Sequence, residues 1–205
     1  MRTTLLPSYH ALLVGLTLLL AASAVCAFSS STRTRFVPLT EKGRVEDPIA
    51  WVDLCSKSLV QLTDQSLAQH LSLAEDKDIH EHSVYAFLSH GSQEDPIFCY
   101  FNKAAMKMFQ YTPDEIYKLP SRYSAPSGAA RQTRQKVIDG TAEEDKGYYY
   151  LPPVIRQAKN GDLYEISDIL LWNVYDDEGY RLGQAAIYDR SKAVFVGNEP
   201  RVVED

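Results

Sequence analysis

Residues 95–126 read DPIFCYFNKAAMKMFQYTPDEIYKLPSRYSAP and change character three times within one short segment. PIFCYFN is rich in aromatic and β-branched residues and predicts a short strand. NKAAMKMF then sets Ala104, Ala105, Met108 and Phe109 on one helical face. TPDE follows, with Thr112 as N-cap, Pro113 at the first helical position and Glu115 completing a capping box, so a second short helix starts there. The prolines of LPSRYSAP end helicity. The segment therefore reads as a strand feeding a chain of short helices.

Working outward, VYAFLSH (84–90) is a second strand-like run, separated from the first by the turn-like GSQED, and the two predict an antiparallel pair. AARQTRQKVIDG resumes a helix that Gly140 is expected to end. Beyond it, GYYYLPPVIRQ, DLYEISDILLWNVY and YRLGQAAIYD are strand signals. The steps Asn160-Gly161 and Glu178-Gly179 between them suit hairpin turns. The order β-β-α-α-α-β-β-β predicts an α+β fold, with a five-stranded antiparallel sheet and short helices over one face. That is the order of the PAS fold, whose cavity lies between sheet and helices.

Upstream, Asp47 and Pro48 suit an N-cap and first helical residue, and Val52, Cys55, Leu59 and Leu62 recur at helical spacing. This amphipathic helix, over about 48–70, is expected either to cover an open sheet or to pair with a second copy of itself. The start of the chain has a different composition. It joins a basic residue, Arg2, to the apolar ALLVGLTLLLAASAV and to Val25 and Ala27, which suit a signal-peptidase site; an uncleaved membrane anchor is the other reading. FSSSTRTRFVPLT, free of acids and rich in Ser, Thr and Arg, then has the composition of a plastid transit peptide. The pair resembles the bipartite presequences of algae with secondary red plastids, with a secreted protein as the alternative. The expected organisation is 1–27 signal peptide, 28–45 transit-like segment, 46–83 helical extension and linker, 84–192 domain and 193–205 tail.

Charge narrows the partners. Of 21 basic residues, Arg2, Arg33 and Arg35 lie in the first forty positions, which contain no acid; 18 remain against 27 acids, a net −9 from Glu41 onward. Without a basic patch, direct nucleic-acid binding is not expected, nor is membrane association after processing. Cys55 and Cys99 lack CxxC spacing, and HEH at 80–82 has no companion ligands at a recognisable spacing, so no zinc or other metal site is expected.

SHGSQEDPIFCYFNKAAMKMF, LPSRYSAP, WNVYDDEG and GQAA, in this order and spacing, resemble the MEKHLA domain, a PAS-related family. The resemblance covers about residues 84–192 and implies a PAS-like sensory or interaction role, without a defined ligand or reaction. The double proline of YYYLPPVIRQA departs from the family pattern. Flavin-cysteine photochemistry is not expected, because LPSRYSA carries no reactive cysteine. Haem is not expected either, since His70, His80, His82 and His90 all precede the helical side of the fold.

The candidate cavity is expected to be lined by Phe98, Tyr100, Met108, Phe109 and Trp172. Arg122, Tyr123 and Ser124 would form its polar wall, with Asn173 and Gln184 bonding each other, water or a ligand. Arg122 is either a structural ion-pair partner or the anchor of a small acidic ligand. A homodimer through 48–70 without any ligand is a second functional reading. A third is a small enzyme using Asp168 as a buried base.

Overall fold

The computed structural model describes residues 43–143 and 146–201. The signal-like and transit-like segments read from the sequence lie, up to residue 42, outside the described residues. The elements are α1 (Pro48–Thr63), α2 (Leu67–Leu71), β1 (Tyr85–Gly91), β2 (Phe98–Phe101), α3 (Lys103–Phe109), α4 (Pro113–Ile116), α5 (Gly128–Glu143), β3 (Tyr148–Leu151), β4 (Val154–Gln157), β5 (Asp162–Ile166), β6 (Ile169–Tyr175), β7 (Arg181–Asp189) and β8 (Val194–Asn198). Short 3-10 turns at Asp76–Ile79 and Ser121–Ser124 complete the connections used below.

The local signals act as their chemistry dictates. The Asp47 carboxylate accepts from the backbone N–H groups of Ile49 and Ala50, both at 3.0 Å, and Pro48 opens α1. Thr112 and Glu115 form the capping box of α4. Gly140 does not end its helix: α5 runs through it to Glu143, and the positive φ that reverses the chain falls instead on Gly147, at 65°.

The fold is α+β and PAS-like, with a five-stranded antiparallel sheet in the order β2-β1-β7-β6-β3. Alternation along its strands separates two faces. Phe87, Leu170, Trp172, Val174, Ala185 and Ile187 point to one face, where they pack with Trp51, Val52, Cys55 and Leu59 of α1. Polar pins fix that contact: Trp51 Nε1 donates to Ser89 Oγ at 2.8 Å and Trp172 Nε1 to the Cys55 carbonyl at 3.0 Å. The apolar face of α1 thus covers the sheet. The opposite sheet face receives α3 and α5, with Ala104, Ala105, Met108 and Phe109 buried as the helical spacing predicts.

Two of the expected long strands are broken. Pro152 and Pro153 separate β3 from β4, because proline offers no N–H to a ladder. Asp168, at φ 54°, separates β5 from β6. The pairing does not slip across the break: Leu151 faces Ile169 and Val154 faces Ile166. One long hairpin is therefore bent into two sheets, and its distal half joins β8 in a second sheet, β4-β5-β8. Residues 194–198, expected as tail, supply that third strand.

Candidate functional site

Between the second face of the main sheet, α5 and the bent hairpin lies a cavity of about 340 Å³. Its floor comes from alternate residues of β1, β6 and β7, namely Leu88, Ile169, Leu171 and Ala186. Phe98 and Phe109 close one side. Leu151, Val154 and Ile166 close another, and they reach it because the double proline turns the hairpin over the sheet. Helix α5 contributes Ala130, Arg134, Val137 and Ile138 as a lid.

Most of this wall is apolar, and three of its polar members, Gln184, His90 and Arg134, carry unfilled hydrogen-bonding capacity. Gln184 is fully buried on β7. Its Nε2 donates to the Ile138 carbonyl at 3.1 Å and to Asn173 Oδ1 at 3.0 Å, while Oε1 has no partner. Because the Ile138 carbonyl can only accept, the amide is oriented with its oxygen free. His90, paired with Gln184 across β1 and β7, is likewise buried. Its Nδ1 lies 2.9 Å from the Gly91 carbonyl and must carry the proton there, which leaves Nε2 as an unused acceptor. Burial, reinforced by the Arg134 charge, holds the imidazole neutral by pushing its pKa down to about 3.

Arg134 is the third such group. Only 8% of the residue is exposed, its Nη1 has no partner, and burial lowers its pKa well below the usual guanidinium range. Arg156 on β4 also lines the cavity, donates from Nη1 to the Ile155 carbonyl at 3.0 Å, and is lowered to about 10 by burial. Among the described residues neither arginine has an ion-pair partner, and the cavity wall holds no aspartate or glutamate.

Of the side chains expected at the site, the structure brings Phe98, Phe109, Ser124 and Gln184 to the cavity wall. The others lie elsewhere, each for a physical reason. In a regular strand Tyr100 would share a face with Phe98, but Ser89 pairs with Tyr100 and His90 with Phe98, so Cys99 is an extra residue in the ladder. That bulge sends Tyr100 to the α1 side, where its hydroxyl meets His80 Nδ1 at 2.8 Å. Trp172 is one position out of phase with Leu171 and stacks on Phe87 beneath α1. Met108 is buried in the cluster under α3, and its sulfur accepts from the Tyr188 hydroxyl of β7 at 3.3 Å. Asn173 lies beyond the cavity end, donating to the Thr141 carbonyl at 3.0 Å.

Arg122 takes its structural alternative. The Ser121 N–H donates to the Pro96 carbonyl at 2.7 Å, which brings Asp95 beside Arg122, and the two form an ion pair. Tyr123 is not a cavity wall residue either: its ring lies under the guanidinium groups of Arg122 and Arg131, at 4.5 and 4.8 Å. Glu115, on neighbouring α4, bonds Lys159. Asp168 is no buried base, being 68% exposed and 3.1 Å from Lys192 Nζ. His90, set aside because it precedes the helices, nevertheless faces their side of the sheet.

Arg134 and Arg156 join the wall without having been among the expected residues. A signal for Arg134 was present: it lies four residues from both Ala130 and Ile138, in line with the buried face of α5. For Arg156 none was, because its position depends on the bend at Pro152-Pro153.

Similar solved structures include the PAS domain of a protein from Colwellia psychrerythraea (14% identity, TM-score 0.44, covering 58% of this chain and 92% of that one). Another is the light-state dimer of the fungal blue-light photoreceptor Vivid (19%, TM-score 0.40, 50% and 75%). A third is a Rhodobacter sphaeroides LOV protein (14%, TM-score 0.44, 56% and 64%). No protein of curated function matches the sequence. The MEKHLA domain matches residues 49–192, a span that takes in α1 and α2 as well as the sheet and the helices around the cavity. With well over half of its length matched, the chain belongs to the MEKHLA domain family.

Proposed function

We propose that the protein is a non-catalytic sensory domain that holds a small molecule between α5 and the sheet. It would act in a plastid reached through the secretory route. The observation that carries the reading is that three residues lining one largely apolar cavity, His90, Gln184 and Arg134, each keep a buried polar atom without a partner, Nε2, Oε1 and Nη1. Leaving such groups unmade costs about 1–3 kcal/mol each, more for a charge, and a bound molecule with complementary groups recovers that cost. The cavity volume is within the usual range of small-ligand sites, ~300–1,000 Å³.

Family membership supports a sensory or interaction role, and the exposed, lysine-paired Asp168 gives no support to a catalytic base. Occupancy would act through α5, since Gln184 and Asn173 hold that helix by the Ile138 and Thr141 carbonyls. Native mass spectrometry of protein purified from cells expressing the full chain tests the reading. A small-molecule adduct released by denaturation is expected. A ligand-free protein that takes up no compound from an organic-acid and neutral-metabolite panel returns the domain to interaction by its surface alone.

A further inference from the structure

The cavity's charge is opposite to that of the protein around it. The chain is net −6, yet the cavity wall contains two arginines and no acid. An arginine does not shed its proton in a protein, so burial leaves its charge in place and demands a counter-charge. Arg122, Lys159 and Lys192, all on the surface, have acidic partners; Arg134, buried, and Arg156, half-buried at the cavity wall, have none among the described residues. The groups best placed to benefit from an anion are thus the ones left without one.

We infer that the ligand is a carboxylate with an apolar body, its acid end held by Arg134 and Arg156 and its body lying between Phe98, Phe109, Ile166 and Leu171. The inference rests on the ligand-binding reading proposed above. A planar carboxylate matches the fork of a guanidinium and replaces the missing counter-charge. At ~30 Å³ per water, 340 Å³ is room for about ten waters, which suits an organic acid of about a dozen non-hydrogen atoms. A hydroxyl or N–H near the acid end would donate to His90 Nε2 and Gln184 Oε1, the two free acceptors beside Arg134. An α- or β-substituted acid would therefore bind better than the plain acid of the same length.

The test titrates the full-chain protein with 4-phenylbutyrate and decanoate and with the amide and alcohol of each, followed by native mass spectrometry and calorimetry. The acids should bind roughly ten- to a hundredfold more tightly than their amides. Arg134→Gln and Arg156→Gln should each shrink that preference, and Arg134→Lys should restore it only in part. If Arg134→Gln does not fold, the acid-to-amide ratio in wild type and in Arg156→Gln decides. Equal affinity for acid and amide overturns the anion assignment and leaves the ligand-binding reading standing. An acid preference unchanged in both glutamine variants overturns the assignment to these arginines. Failure of acids, amides and alcohols alike to bind overturns both readings.

Discussion

Gln184 donates from Nε2 to Asn173 Oδ1 at 3.0 Å across the β6–β7 pair, and each amide also donates to a carbonyl of α5, Ile138 for Gln184 and Thr141 for Asn173. Two fully buried amides therefore fasten the lid helix to the sheet. Asn173→Leu would strand the Thr141 carbonyl and one Gln184 donor at once. We expect a loss of about 1–3 kcal/mol in chemical denaturation. In a double-mutant cycle with Gln184→Leu, the pair should cost less than the sum of the single changes, because neither amide is then left facing an absent partner.

Arg122 gives the opposite expectation. Its side chain is 37% exposed and its Asp95 partner 49%, so solvent screens the pair. Arg122→Ala should lower stability by about 0–1 kcal/mol and leave cavity binding unchanged. A selective loss of ligand affinity in the folded variant would return Arg122 to the site.

Acid should weaken the fold through His90. Its folded pKa of about 3 lies below the ~6.5 of an unfolded histidine, so between those values the unfolded chain binds a proton that the native chain does not. The stabilisation is complete above pH ~6.5 and declines as pH falls toward 3, by up to about 1.4 kcal/mol per pH unit. Replacing the imidazole by a non-titrating amide, His90→Gln, should flatten this part of the stability–pH curve relative to wild type. Parallel curves would show that His90 is protonated in the native protein.

The plastid proposal is tested by fusing residues 1–45 to a fluorescent protein in an alga with a secondary plastid. Plastid fluorescence is expected. Retention in the secretory lumen, or export to the medium, would contradict it.

Much of the fold was legible because its signals are local. Asp47-Pro48 caps α1, the Thr112–Glu115 box starts α4, and the aromatic runs make β1 and β2. The candidate site was legible only where alternation stayed regular. Phe98 and Tyr100 share a face in an unbroken strand, and a single bulged residue, Cys99, parts them. Asn173 and Gln184 stood out as polar residues in apolar strands, and their bond to each other was among the options the sequence left open. Arg134 and Arg156 look like solvent-facing cations in a basic helix and an exposed strand. What brings Arg134 and Arg156 to one cavity is a non-local event, the bend at Pro152-Pro153 that makes residues of β4 and β5 share its wall with α5. No window along the chain contains that information.

The most direct test of a ligand-holding cavity fills it from the floor. Ala186 on β7 faces the cavity from the sheet, so Ala186→Phe should occupy part of the space while leaving Arg134, His90 and Gln184 themselves unreplaced. Wild type and Ala186→Phe, purified in parallel from full-chain expression, are compared by native mass spectrometry. The account predicts a small-molecule adduct on wild type and none on the folded variant. An adduct of the same mass and occupancy on both proteins would place the ligand elsewhere and contradict it.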